Sequence, residues 1–311
     1  MDMTREIRIE EGKLKVVFEI QENGVVELKQ FDSAGRMDVK ERDRGEEDFY
    51  PITEVQITGR GTRGMHAYKH NVSGGATDFV YQSHEVLENE KGKELIIHTA
   101  TEYGVKGEYH MQFYPNVAAV QVWTILKNEG TEEIGLEYVS SFIYQGLCQS
   151  GEKPYFEKTS IYTPHNSWDC ESQWRKNDCR EINLSGMAVN GFNTGFGMNR
   201  YCYGGHSSWS TCEYLPMGIC EDEECKVTYF FQVEHSGQWL IEYGPSTGER
   251  LYVALSGATE TEHGWWKNLK PGDTFTTVPA GFGVADGDVN EAMAELTEYR
   301  RKIRRPNEDD E

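Results

Sequence analysis

Apolar residues recur at every second position through most of this chain. Leu14, Val16 and Phe18 alternate with Lys13, Lys15 and Val17, and an extended strand is the conformation that sends alternate side chains to opposite faces. Further short runs follow at Val25-Val26, Leu28 and Phe31, at Val120 to Leu126, at Ile134 to Val139, at Val227, Tyr229, Phe231 and Val233, and at Leu251, Val253 and Leu255. Each is rich in β-branched or aromatic residues and bounded by Gly, Asn, Asp or Pro. The 32 glycines supply turns such as Asn23-Gly24 and Asn128-Glu129-Gly130. Strands at this spacing over about 280 residues predict one large all-β sandwich or barrel. There is no internal repeat and no low-complexity linker.

The C-terminus breaks the pattern. Asp288-Val289-Asn290-Glu291 reads as a capping box with Asp as the cap, and Met293, Leu296 and Tyr299 keep helical spacing. Arg300, Arg301, Lys302, Arg304 and Arg305 crowd the end favoured by the helix dipole, and Pro306 stops the helix. A helix followed by the polar tail Asn307 to Glu311 reads as the start of a connection, so the chain is expected to be a fragment of something longer.

Charge narrows the function. With 31 Lys+Arg against 52 Asp+Glu the net charge is −21, which argues against nucleic acid and against an anionic membrane surface. No apolar run approaches the roughly 20 residues of a membrane helix. The N-terminal MDMTREIRIEEGK has no apolar signal core, so a cytoplasmic location is expected. The seven cysteines are an odd set read as free thiols in a reducing compartment. The nearest metal-like spacings, Cys220 to Cys225 and Cys202 to His206, lack tight CxxC pairs, and no metal or cofactor is expected.

The stretches FFQVEHSGQWLIEYG and HGWWKNLKPGDTFTTVPAGFGVADGDVNEAMAELTEYRRKIRRP carry a resemblance. Ser236-Gly237, Trp266, Leu269, Pro271-Gly272, Phe275, Thr277, Pro279 and Tyr299-Arg300 follow a Ser-Gly turn, a W-x-L-x-P-G-x-x-F-x-T-P element and a helix ending in Tyr-Arg. Trp266 stands one residue further from Leu269 than that pattern asks, and Val278 is inserted. Upstream, Tyr81 to Val86, Ser140-Ser141-Phe142 and Leu184-Ser185-Gly186 match further pieces, while Trp174-Arg175-Lys176 matches a W-x-R-E element with no spacer and Lys for Glu. Together they resemble the N-terminal domain of glycoside hydrolase family 36, the alpha-galactosidases, over nearly the whole chain.

The resemblance implies a large β-supersandwich of the galactose-mutarotase type over 1–287. It implies a linker helix and polar tail over 288–311, leading toward a (β/α)8 catalytic barrel absent from this chain. The parent enzyme it implies removes terminal alpha-galactosyl groups from melibiose- and raffinose-type oligosaccharides, with retention. Such chemistry needs two carboxylates about 5–5.5 Å apart, which the family keeps in the barrel. Ser167-Trp168-Asp169-Cys170-Glu171 lacks the Lys and Asn of the family's nucleophile strand, and Cys202 to Ser207 lacks the Arg and Asp of its acid/base segment. No catalytic residue is assigned, and the chain alone is expected to be inactive. Its expected roles are to shape the sugar site and to form a homo-oligomer interface.

Candidate sugar contacts are Trp174, Arg175 and Trp168 in the segment HNSWDCESQWRKNDCR, read as a loop closing over an alpha-galactoside. Aromatic faces stack on sugar rings and polar groups take their hydroxyls. A tryptophan buried in the sandwich is the competing reading. The glycine-rich segment Thr58 to His70 adds Arg63 and His66, against a plain solvated turn; His66 and His70 are read as solvent-exposed. Trp265-Trp266 is expected to pack in the sandwich and Glu221-Asp222-Glu223-Glu224 to form a solvated hairpin turn. Two rivals stand beside the galactosidase reading. One is a free-standing aldose mutarotase, which needs His and Glu across one sugar and leaves His84, His98 and His110 as unpaired candidates. The other is a carbohydrate-binding module.

Overall fold

The computed structural model describes residues 5–36, 50–63, 69–185, 199–246 and 250–305. Strands β1 (Arg5–Glu11), β2 (Leu14–Ile20) and β3 (Val26–Ser33) form a three-stranded sheet. After the short β4 (Val55–Ile57), a meander runs through β5 (Val80–Asn89), β6 (Gly92–Ala100), β7 (Val105–Phe113) and β8 (Ala119–Asn128). The chain continues as β9 (Ile134–Leu147), the hairpin β10 (Thr159–Ser167) and β11 (Cys170–Asp178), β12 (Tyr201–Gly205), β13 (Met217–Asp222) and β14 (Val227–Val233). It closes with β15 (Trp239–Ser246), β16 (Arg250–Gly257), the single-turn helix α1 (Glu260–His263), β17 (Lys267–Leu269), β18 (Thr274–Thr276), β19 (Ala280–Asp286) and α2 (Val289–Ile303).

All pairings are antiparallel. A ten-stranded sheet has the order β11-β10-β13-β14-β19-β8-β7-β6-β5, with β18 also on β8. A six-stranded sheet has the order β12-β15-β16-β9-β17, with β4 on β9. The runs read as strands from their alternation are strands, and the architecture is the all-β sandwich with one long C-terminal helix. The three sheets share one buried cluster, in which Phe282 of β19 meets Phe31 of β3 at 4.9 Å and Phe142 of β9 at 4.4 Å between ring centroids.

Helix α2 is capped as expected: Asp288 accepts from the Asn290 amide at 2.7 Å, and the Glu291 carboxylate accepts from the Asp288 amide at 3.0 Å. It buries Ala292, Leu296 and Tyr299 against Tyr114, Ile219 and Phe230 on the outer face of the large sheet. Glycines on β19 make this possible. A Cβ at Gly281 would lie 2.6 Å from the Tyr299 ring, and one at Gly283 would lie 2.2 Å from that of Phe230. Gly281→Ala should therefore cost about 1–3 kcal/mol by overpacking, read as a lower urea midpoint at unchanged slope.

Three expectations change. The segment 165–180 is not a loop but most of the β10–β11 hairpin. Its signal is weak because β11 is an edge strand with nearly every residue exposed, so no buried face imposes alternation. Trp265 is half-buried against Phe275, but Trp266 is 62 % exposed. The acidic run is not solvated throughout. Asp222 and Lys158 are both buried, with Nζ 2.8 Å from Oδ2, and the same ammonium lies 3.6 Å from Glu224 and 3.9 Å from the Cys225 sulfur. Asp222, Glu224 and Cys225 do bring three ligand-type atoms within 4.8 Å of one another, but Lys158 supplies the positive charge there. The seven cysteines are free thiols.

Candidate functional site

The β10–β11 hairpin turns through Trp168 and Asp169, with Ser167 opposite Cys170 and Asp169 in the left-handed region at φ 60°. A register shift between His165 and Ser167 frees Asn166 from the ladder. Its side chain accepts from the Ser172 amide at 2.9 Å and donates to the Thr211 carbonyl at 2.5 Å, tying the hairpin to the neighbouring 206–213 turn. That turn carries Trp209, whose amide donates to Ser207 Oγ at 3.1 Å. Trp168 and Trp209 meet edge to face, 6.0 Å between centroids, while remaining 77 % and 55 % exposed. Exposing two indoles forfeits burial energy of roughly 1.5–3 kcal/mol for each large apolar side chain. The two rings form an exposed aromatic pair at the hairpin tip.

A row of rings ties this tip to the core. Trp239 packs on Tyr203, Tyr203 on Tyr214, and Tyr214 on His165 at 4.9 Å, where the two residues also form an isolated β-bridge. Burial lowers the His165 pKa, and the nearby Arg175 charge lowers it further, so the imidazole is neutral at pH 7. The sequence candidates here divide between the hairpin faces. Arg175, opposite Thr163, shares the face of His165; Trp174, opposite Pro164, shares the other and packs against the α2 cluster. One ligand therefore cannot rest on both Trp174 and Arg175, whereas Trp168 at the tip is open to either side. Trp209 escaped sequence reasoning; its only signal was a tryptophan among Ser and Thr residues in a turn.

The second candidate segment is a clasp. Arg63 pairs with the buried Glu54 and donates through Nε to the Ser73 carbonyl at 3.0 Å and through Nη2 to the Asn71 carbonyl at 2.9 Å. Burial raises the Glu54 pKa, against the opposing pull of Arg63. His66 lies outside the described residues. His70 is fully buried, contrary to expectation. Its amide and Nδ1 lie 2.8 and 2.7 Å from the Glu242 carboxylate, which also accepts from Tyr252 at 2.5 Å and Arg200 at 2.9 Å. Burial would push the Glu242 carboxyl up, but His70, Tyr252 and Arg200 together hold it at about 2. Clasp and hairpin meet on consecutive residues: Arg200 binds Glu242, and the Tyr201 hydroxyl lies 3.1 Å from Thr163 Oγ1 on β10.

A His/Glu cluster lies on the outer face of β5–β8. His98 Nε2 is 3.1 Å from Glu85, His110 Nδ1 is 2.9 Å from Glu94, and Glu108 lies 3.5 Å from His110 and 3.8 Å from His98. His110 stacks on Trp123 at 4.8 Å. Strand register brings these groups together, since Glu108 faces His98 and Trp123 faces His110 across adjacent strands, and no sequence spacing announces it.

No protein-family model matches this sequence, and no curated protein does. Solved structures do. The chain is similar to the GH36 alpha-galactosidase AgaB from Geobacillus stearothermophilus, with a TM-score of 0.74 at 14 % identity, over 99 % of this chain and 43 % of that one. A variant of AgaA from the same organism, crystallised with raffinose, gives 0.73 at 13 %, over 97 % and 44 %. The Slr1438 protein from Synechocystis sp. PCC 6803 is similar at 0.51 and 10 %, over 92 % of this chain and 97 % of its own. The chain thus spans less than half the length of the galactosidases it matches. What it shares with these GH36 alpha-galactosidases is the fold of one part of them.

Proposed function

We propose that this chain is the non-catalytic N-terminal domain of an alpha-galactosidase-like glycoside hydrolase, shaping the sugar site and contributing an oligomer interface. The observation that carries the reading is the match of nearly the whole chain to about two-fifths of such enzymes. The Trp168–Trp209 tip supports the sugar role: it offers indole faces on an edge hairpin tied to the core, while Arg175 lies further along β11, opposite Thr163. Arg63 is engaged within the clasp, on Glu54 and the Asn71 and Ser73 carbonyls. The crystallisation of AgaA with raffinose makes alpha-galactosides of that type the class to test. Strand β5 supports the oligomer role. It ends the large sheet with an open edge and exposes Val86 and Leu87, 42 % each, and such edges pair with a second chain unless covered.

The purified chain should release no nitrophenol from p-nitrophenyl alpha-galactoside above the buffer rate, and measurable turnover would sink the reading. Trp168→Ala and Trp209→Ala should each leave folding stability within about 0.5 kcal/mol, as exposed sites do. A larger loss in the urea midpoint would mean that the tip is a packing element instead.

The free-standing mutarotase remains the second reading, because the His98–Glu85 and His110–Glu94 pairs place acid and base groups on one sheet face. Slr1438, a chain of matching length, supports a stand-alone domain of this fold. Proton NMR of freshly dissolved alpha-galactose separates the two readings. Anomer exchange accelerated by the chain, and lost in His98→Ala, favours the mutarotase; exchange at the buffer rate favours the galactosidase domain.

A further inference from the structure

A cleft of about 260 Å³ opens between the β14–β15 turn, the end of β16 and strand β18. Val139, Trp265, Phe275 and Val278 give it apolar walls, and His235, Gln238, Thr276 and Thr277 give it polar groups. Among the described residues, none that lines it is Asp, Glu, Lys or Arg, in a chain that is 27 % charged. The lining therefore selects against ions and suits a neutral ligand with one apolar face and many hydroxyls. At about 30 Å³ of liquid volume per water the space equals roughly nine waters, room for one sugar ring.

The walls are held in place. Thr259 caps α1, Gly264 leaves it in the left-handed region at φ 64°, and the Trp265 amide returns to the Thr259 carbonyl at 3.1 Å. The Trp265 ring then meets Phe275 at 5.5 Å and 43°. Gln238 donates through Nε2 to the His206 carbonyl at 3.0 Å, which orients its amide and leaves Oε1 as an acceptor. The His235 ring lies over Gly237, where a Cβ would come within 2.5 Å of Nε2, so the glycine of the Ser236-Gly237 turn keeps the imidazole at the rim. Thr277 Oγ1 already accepts from the Thr124 amide at 2.9 Å, which leaves the exposed Thr276 as the freer hydroxyl.

We propose that this cleft binds one pyranose ring of a neutral saccharide, its C–H face on Trp265 and its hydroxyls toward Gln238, His235 and Thr276. The pyranose class rests on the lining alone; only the choice of galactosides as probes rests on the function proposed above. A ligand of this size in an open cleft should bind with a Kd on the order of 1–10 mM.

The test is saturation-transfer difference NMR on the full chain with melibiose and raffinose up to about 50 mM, with tryptophan fluorescence in parallel. Thr276→Trp, which fills the cleft from an exposed position, and Gln238→Ala should each weaken binding at least about tenfold, with circular dichroism showing the fold retained. Met293→Ala, at an exposed position of α2, is the control and should leave it unchanged. Absence of saturation transfer at the highest concentration overturns the proposal, as does binding that survives Thr276→Trp. Binding lost in Trp168→Ala instead overturns it while supporting the hairpin tip as the sugar contact, so the two readings fail separately.

Discussion

Glu242→Ala should cost about 3–5 kcal/mol of folding stability, the range for removing one partner of a buried ion pair and stranding the others. Glu242 is 1 % exposed, and four donor groups converge on its two oxygens: the His70 amide and ring, the Tyr252 hydroxyl and the Arg200 guanidinium. Without the carboxylate, the buried His70 and Tyr252 lose the acceptor they share. Arg200 keeps Glu262. Glu262→Ala is accordingly the control, and should cost about 1 kcal/mol or less, as a pair nearer the surface does. The same carboxylate predicts an acid limb. Its pKa is about 2 in the folded chain, lowered from an ordinary value of 4.5. Its contribution, on the order of 3 kcal/mol, is therefore present above pH 4.5 and lost as pH falls toward 2. Urea unfolding at pH 7 and pH 3 checks both points. The wild type should lose more stability over that interval than Glu242→Gln, and equal losses would mean that the carboxylate is not the group whose titration unlocks the clasp.

What the sequence made legible follows from where burial acts. Strands β2, β3, β8, β14 and β16 each have a face in the core, so alternation marks them, and the Asp288 and Glu291 cap marks α2 because capping is local. The hairpin carrying Trp168, Trp174 and Arg175 read as a loop because its edge strand has no buried face. The division of Trp174 and Arg175 between two faces was nevertheless implicit in their adjacency, once a strand is assumed. The Glu242 clasp was not legible, since His70 and Glu242 are 172 residues apart, and only the folded sheet shows that a histidine in a glycine-rich segment is a core group. The His/Glu face was hidden for the same reason, since strand register and not sequence spacing brings its groups together, while Trp209 sits in a turn that carries no alternation. The cleft was half visible. Its Ser236-Gly237 turn and its Phe275 are among the residues that carry the family resemblance, but their convergence on one concave surface is a property of the sandwich.

Phe282→Ala should be the most damaging single truncation in the hydrophobic core, at about 3–5 kcal/mol. The ring is fully buried and lies where all three sheets meet. Phe31 of β3 packs on it edge-on at 4.9 Å; Phe142 and Tyr144 of β9 lie at 4.4 and 5.9 Å; Tyr229 and Phe231 flank it on β14 at 5.9 Å each. Alanine there removes the shared neighbour of five rings borne on strands from three different sheets. Those strands are fixed by their own ladders and cannot all move in to close the void, which is the condition for the upper part of the range. Phe282→Leu keeps most of the volume and should cost less than half as much. At roughly 2 °C per kcal/mol for a large domain, alanine should lower Tm by about 6–10 °C. The transition should stay single, because the three-stranded sheet has no separate core to unfold around. A first, separate transition of β1–β3 in Phe282→Ala would show that this sheet is an independent layer, and that the core is two clusters held together by one ring.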